Sequence, residues 1–323
     1  MSTAIISQPL PTLCPSRRHE WAVVLAGGDG TRLKSLTRRI SGDERPKQFC
    51  SVLGDRTLLE ETIRRVALEL SPKRTLHVVN RAHEAYYAPL LCAGSSENLV
   101  IQPSNRGTAP AILYSLLRIA SLNPRAVVAL FPSDHYISDD AKFMGQIRVA
   151  LDTARQHQDL VLLLGLVPES PEVEYGWIEP GNPLPETTKI FRVRRFWEKP
   201  NQMRARVLQL GGSLWNSFVM VASVDALLGI IESAIPELHR AFTALAPLFG
   251  GEAEARAIEN LYQNLNEVNF SHQVLALKPE RLAVLKVTGV QWNDLGEPKR
   301  VMASLDLAGV RPHWVKAAMP QFA

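Results

Sequence analysis

Ala22-Val23-Val24-Leu25-Ala26-Gly27-Gly28-Asp29-Gly30-Thr31-Arg32-Leu33 is the stretch whose reading decides the fold. The unbroken apolar run Ala22–Ala26 reads as a strand covered on both faces, and the glycines after it as its loop. Glycine lets backbone N–H groups approach an anion closely, and Arg32 adds a charged fork for phosphate oxygens. Two phosphate loops can be tested against it. A Walker loop needs Gly-Lys-Ser/Thr after four intervening residues, and Leu33 stands in the place of that glycine. A dinucleotide fingerprint needs a third glycine, but Gly28-x-Gly30 is followed by Leu33. Neither fits.

Outward from this strand, apolar runs of strand length alternate with helix-period segments as far as residue 170. Further strands are expected at Thr75–Val79, Leu99–Gln102, Val127–Phe131 and Leu160–Val167, with helices near Leu58–Leu70, His83–Cys92, Ala109–Leu122 and Phe143–His157. Apolar strands separated by amphipathic helices predict a mostly parallel sheet covered on both faces. After Pro168 the texture changes. Turn residues cluster at Pro168–Pro171 and Pro180–Pro185, and strands are expected at Lys189–Trp197 and Phe218–Ala222. Helices run from about Asp225 to Leu265. Two short apolar runs, Leu282–Val287 and Val290–Trp292, then lead to a helix near Pro298–Leu307.

With 323 residues, 46% hydrophobic and 21% charged, the chain has ample core to fold without staples. That composition excludes disordered, collagen-like and disulfide-scaffold classes. The three cysteines, Cys14, Cys50 and Cys92, are far apart and form no Cys-x-x-Cys pair. They read as reduced thiols of a cytoplasmic protein that builds no zinc site. No run of about eighteen apolar residues exists to span a membrane. Arg17 and Arg18 follow the first apolar stretch where a secretory signal would place them ahead of it. Residues 1–20 are therefore expected to be a flexible extension and 21–323 a single α/β domain.

The net charge of +4 is concentrated. Arg32, Lys34, Arg38, Arg39, Arg45 and Lys47 face only Asp43 and Glu44 between positions 32 and 47, so this segment alone carries +4. A nucleic-acid binder spreads its cations over a face or helix, whereas a concentrated basic loop suits a small polyanion. Taken alone, such a run is a solvated loop.

The glycine loop combined with Arg45-Pro46-Lys47-Gln48-Phe49 resembles the sugar-phosphate nucleotidylyltransferases, most closely the mannose-1-phosphate guanylyltransferases. The likeness continues in order through Thr108-Ala109-Pro110-Ala111-Ile112, Pro132-Ser133-Asp134-His135, Tyr175-Gly176-Trp177-Ile178, Glu198-Lys199-Pro200, Trp215-Asn216-Ser217 and Trp292-Asn293-Asp294-Leu295-Gly296. Each segment alone has a plainer explanation: Asp134 and Asp294 as turn residues, Asn216 as a cap, the tryptophans as packing. The ordered set is far more specific.

The resemblance implies a Rossmann-like (GT-A-like) mixed sheet, with residues 21–170 mainly binding nucleotide and 171–323 mainly binding sugar phosphate. It implies attack by a sugar-1-phosphate oxygen on the α-phosphorus of a nucleoside triphosphate, GTP, with pyrophosphate released. Two polyanions must meet, so cations must offset their repulsion. Arg32 would hold the β and γ phosphates, and Lys47 would stabilise charge growing on the α-phosphoryl oxygens. Asp134 and Asp294 would ligate Mg²⁺. The nucleotide would also meet Ala26, Gly27, Gly28, Gly30, Thr31, Gln102, Gly107, Thr108 and Ser133. The sugar phosphate would meet Gly176, Glu198, Lys199 and Asn216. No nucleic acid or membrane is an expected partner, and a homodimer is compatible with the resemblance. His135 has no neighbouring His or Cys at ligand spacing and reads as structural.

Three departures stand out. Gly107 occupies the place where many guanylyltransferases of this group have asparagine. The run Gln102-Pro103-Ser104-Asn105-Arg106-Gly107 also looks like the base-side loop of glucose-1-phosphate thymidylyltransferases. Phe218 follows Trp215-Asn216-Ser217 where the family usually has glycine, and its bulk would reshape the sugar pocket. Finally, 27 residues follow Gly296, too few for the cupin domain of bifunctional isomerase–guanylyltransferases, so no isomerase activity is implied. The alternatives are another nucleotide-sugar pyrophosphorylase, thymidylyl- or uridylyltransferase, or a regulator that binds without catalysis.

Overall fold

The computed structural model describes residues 15–91, 96–185 and 187–318. Cys14, Cys92 and the first fourteen residues of the expected extension lie outside the described residues. Pro15–His19 forms a helical turn, and Glu20 opens the first strand, buried beneath Arg148 and Arg155.

In chain order the first half builds β1 (Glu20–Leu25), α1 (Lys34–Ser41), α2 (Leu58–Val66), β2 (Thr75–Asn80), α3 (Glu84–Leu91), β3 (Leu99–Gln102), α4 (Thr108–Leu122), β4 (Val127–Pro132), β5 (Tyr136–Ile137), α5 (Asp140–Gln156) and β6 (Val161–Leu166). Thr57 and Glu60 close a capping box at the start of α2, and Asp139 caps α5 by accepting from the Lys142 N–H. That cap starts α5 three residues before the expected Phe143. The second half builds β7 (Gly176–Pro183), β8 (Ile190–Glu198), α6 (Gln202–Leu210), β9 (Leu214–Ser223), α7 (Val224–Ala234), α8 (Pro236–Thr243), α9 (Glu254–Gln263), α10 (Phe270–Gln273), β10 (Leu282–Val287), β11 (Trp292–Asn293) and α11 (Pro298–Ala308).

Nine strands form one mixed sheet in the order β3-β2-β1-β4-β9-β6-β10-β8-β7. The β3-β2-β1-β4 block is parallel throughout, as expected from its apolar strands and crossover helices. Beyond β4 only β6 and β10 pair in parallel; β9 runs antiparallel to β4, β6 and β7, and β8 antiparallel to β7 and β10. Parallel pairing thus dominates one block, and the sheet as a whole is mixed rather than mostly parallel. Apolar clusters cover both faces: one around α4 and α7, the other around α2 and α5.

The differences from expectation have local causes. The prolines at 180 and 183 lie within β7, not in a turn, because the ladder to β8 shifts register at Pro180 and no hydrogen is demanded there. Strand β9 begins at Leu214 rather than Phe218. Its irregularity is Phe218 itself, with φ of 58°. A second sheet, β5 paired with β11, was not expected, since each strand is two residues long.

Candidate active site

The loop after β1 is held by a residue that the motif reading left without a role. Buried Gln48 donates from Nε2 to the carbonyls of Ala26 (3.0 Å) and Gly28 (2.7 Å). The N–H groups of Gly27, Gly28 and Gly30 have no partner among the described residues. Gly30 turns the chain with φ of 59°, a conformation that side chains resist. The result is a row of free donors beside Arg32, suited to an anion.

Two openings meet at Asp134. A cavity of about 330 Å³ is lined by Gly27, Gly28, Gln102, Gly107, Thr108 and Phe218, among others. A second, of about 250 Å³, is lined by Gly30, Thr31, Arg32, Lys47 and Gly296. Asp134 lines both.

Asp134 and Asp294 are brought together by the small sheet. Tyr136 pairs with Asn293 and Ile137 with Trp292, so the residues flanking this ladder converge despite their separation in sequence. Between them sits Lys47, 8% exposed. Its ammonium lies 3.3 Å from Asp134 Oδ2 and donates to the carbonyls of Asp294 and Leu295. Leu295 has φ of 49°, a strained turn that aims both carbonyls at the lysine. Burial works against ionisation of Asp134, yet the charge of Lys47, helped by His135, holds its carboxyl below the usual range. His135 receives the Trp292 indole N–H on Nδ1 at 3.2 Å and turns Nε2 toward Asp134 at 3.5 Å. Burial pushes its pKa down against the pull of Asp134, and the ring lines the larger cavity beside that aspartate.

Asp294 is braced by Tyr175 and Gly296, which stand in the quoted motifs without a role, and by Arg300, which lies outside them. Its Oδ1 accepts from the Tyr175 hydroxyl (3.2 Å) and the Gly296 N–H (2.9 Å). Arg300 lies 3.5 Å from the same oxygen and 4.8 Å over the Tyr175 ring. Tyr175 packs T-shaped against Trp215 and Trp292 beneath, and Trp177 is fully buried, so Trp177 and Trp215 serve packing.

A third group forms where β7, β8 and β9 meet. A side chain on Gly176 would come within 3.1 Å of Glu198 Oε2 and 3.3 Å of Asn216 Cβ, which places all three residues at one corner. Burial raises the Glu198 carboxyl above its usual range, against the pull of Lys199, His272 and the Ser271 hydroxyl. The Asn216 carboxamide accepts from the Phe218 N–H at 3.1 Å. Phe218 occupies a left-handed conformation, the physical reason glycine suits that position, and packs against Phe270. Lys199, at φ of 44°, reaches Glu174 at 3.5 Å, and Arg32 reaches the same carboxylate at 3.1 Å.

The remaining site residues divide. Gln102, Gly107 and Thr108 line the larger cavity, and Gly30 and Thr31 the smaller. Ser133 does not face either: its buried hydroxyl donates to the Leu25 carbonyl at 2.8 Å, tying the ends of β4 and β1 together. Ala26 is likewise buried, its N–H bonded to Val78. The basic run is not a bare patch. Arg45 pairs with Asp43, Arg38 and Lys34 pair with Glu44, and Arg32 and Lys47 line the smaller opening.

Among the described residues no group of three or more His, Cys, Asp or Glu gathers as a metal cage. Asp134 and Asp294 offer two carboxylates instead, a hard-oxygen pair suited to a cation that completes its shell with phosphate and water.

A model of the nucleotidyl transferase family matches residues 21–305. Mannose-1-phosphate guanylyltransferase 2 of Escherichia coli O157:H7 is 30% identical over 286 residues, which is 85% of this chain and 58% of that protein. The mannose-1-phosphate guanylyltransferase of Klebsiella pneumoniae is 28% identical over 281 residues, 85% of this chain and 57% of that one. The chain therefore spans little more than half the length of these relatives. A solved structure from Thermus thermophilus, described as a mannose-1-phosphate geranyltransferase, matches with a TM-score of 0.73 at 31% identity, covering 86% of this chain and 76% of that one.

Proposed function

The chain belongs to the nucleotidyl transferase family, and from that premise we propose that it transfers a guanylyl group from GTP to mannose-1-phosphate. A phosphate oxygen of the sugar phosphate attacks the α-phosphorus of GTP, a new P–O bond forms, and the bond to pyrophosphate breaks. The acceptor already carries its nucleophilic oxygen, so no side chain need supply one. The observation that carries this reading is Lys47, a buried cation held between Asp134 and the Asp294–Leu295 carbonyls where the two openings meet.

Arg32 and the free N–H groups of the glycine loop bind the β and γ phosphates. Lys47 faces the α-phosphoryl oxygens, where charge builds in the transition state. Glu198 and Asn216 bond sugar hydroxyls, and Lys199 attracts the sugar phosphate. Asp134 and Asp294 would hold Mg²⁺, which when bound would add positive charge at the reacting phosphates. The same reading puts the enzyme in the cytoplasm, where nucleoside triphosphates are available.

The test is pyrophosphate release over a matrix of four nucleoside triphosphates and several sugar-1-phosphates, with and without Mg²⁺. GTP with mannose-1-phosphate should give the highest kcat/KM. Preference for dTTP or UTP with glucose-1-phosphate would replace this reading with a thymidylyl- or uridylyltransferase.

A further inference from the structure

We propose that Glu267 reads the nucleotide base, its carboxylate accepting from the N1–H and 2-amino groups of guanine; this rests on the guanylyl reading above. Glu267 lies in the segment before α10, far in sequence from the glycine loop, yet it lines the same cavity as Gly27, Gln102 and Thr108. It is absent from the lining of the smaller opening that holds Arg32 and Lys47. Among the described residues it has no ion pair or hydrogen bond.

Its position is fixed by its neighbours. The Val268 N–H donates to the Arg106 carbonyl (3.0 Å), the Ala109 N–H to the Val268 carbonyl (3.0 Å), and the Phe270 N–H to Thr108 Oγ1 (2.9 Å). Gly107 makes this approach feasible. It has φ of 83°, and a Cβ there would collide with the Val268 carbonyl oxygen. The asparagine expected at 107 is therefore replaced by a close approach of the segment that carries Glu267.

Chemistry then selects the base. Tyr262 donates its hydroxyl to Gln102 Oε1 at 3.3 Å, so the Gln102 amide turns its N–H₂ toward Gly27 and the cavity. Among the side chains of this wall, the Gln102 amide supplies a donor and Glu267 two adjacent acceptors. Guanine alone among the common bases carries an acceptor, O6, beside two adjacent donors, N1–H and the 2-amino group. An unpaired carboxylate lining a cavity for a triphosphate repels its ligand unless donors meet it, and a bidentate contact does so.

The experiment measures kcat/KM for GTP and for ITP, which lacks the 2-amino group, on wild type, Glu267→Gln and Glu267→Ala, with mannose-1-phosphate fixed. Wild type should favour GTP by about ten- to hundredfold, the usual discrimination of one bidentate contact. In both variants the ratio should fall to within about threefold, with the sugar-phosphate KM and Tm unchanged because Glu267 is exposed. If wild type uses GTP best and the GTP/ITP ratio survives both substitutions, Glu267 does not read the base while the guanylyl reading stands. If wild type prefers a nucleotide other than GTP, the guanylyl reading itself fails, and the role of Glu267 with it.

Discussion

At one end of the site the lining is backbone and glycine: Gly27, Gly28 and Gly30 offer N–H groups, and Gln48 holds the Ala26 and Gly28 carbonyls from behind. At the other, the corner of β7, β8 and β9 is lined by side chains, half-buried Glu198 and buried Asn216, packed around Gly176. The first surface stands at the ends of parallel strands and presents a fixed row of donors, which suits phosphate of any nucleotide. The second stands on antiparallel strands, where alternate side chains face one way and can be exchanged one at a time. Phosphate binding is therefore expected to resist side-chain changes, and sugar selection to depend on them. Lys47 belongs to neither end and touches the junction of both.

The largest effect should come from that junction. Lys47→Ala removes a cation facing the reaction and leaves Asp134 without its closest counter-charge. Turnover should fall by about 10²-fold or more, with a smaller change in the KM for GTP, as steady-state kinetics would record. Equal losses in turnover and GTP affinity would instead make Lys47 part of ground-state binding.

Glu198→Ala isolates the side-chain end. The KM for mannose-1-phosphate should rise by about ten- to hundredfold and discrimination between sugar epimers should weaken, with GTP affinity little altered. Paired titrations decide it: weaker GTP binding with intact sugar selectivity would reverse the assignment of the two ends. Stability carries a second signature. Because burial raises the Glu198 pKa, the folded state keeps this proton to a higher pH than the unfolded chain does. The stability it supplies is complete below the ordinary glutamate range and is lost as pH rises through the raised value. Glu198→Gln should therefore gain stability over wild type at about pH 7 and little at about pH 4, measured by urea unfolding.

Gly107→Ala tests the backbone end. The new methyl meets the Val268 carbonyl at a left-handed backbone position, so a loss of about 1–3 kcal/mol in stability is expected. The KM for GTP should rise by about tenfold as the 267–270 segment moves away from the cavity. The smallest effect belongs to Glu174, whose carboxylate bridges Arg32 and Lys199 at the surface. Glu174→Gln should lower both KM values by less than about threefold, an effect that fades in high salt.

The same contrast explains how much was legible in the sequence. The parallel block is legible because its strands are apolar and its crossovers helical, and the glycine loop only in combination with the Arg45–Phe49 motif. Arg32, Lys47, Asp134, Asp294, Glu198 and Asn216 were nameable because they sit in short ordered motifs. The two-residue strands β5 and β11 were not, since no periodicity exists at that length, although they are what unites Asp134 with Asp294. Pro180 reads as a turn residue because proline marks turns far more often than register shifts. Tyr175 and Gln48 stood inside quoted motifs but had no chemistry of their own to draw notice. Arg300, Glu174 and Glu267 lay outside them, and their relevance comes from tertiary placement. The left-handed residues Lys199, Phe218 and Leu295 carry no sequence signal except at Phe218, where an expected glycine was missing.

The most direct test of the two-ended site is a crystal structure of the enzyme with GDP-mannose. The account predicts the diphosphate between the Gly27–Arg32 loop and Lys47, the guanine edge between Gln102 and Glu267, and the mannose hydroxyls on Glu198 and Asn216. A hexose in the cavity lined by Gln102 and Thr108, with the base against Glu198, would contradict it.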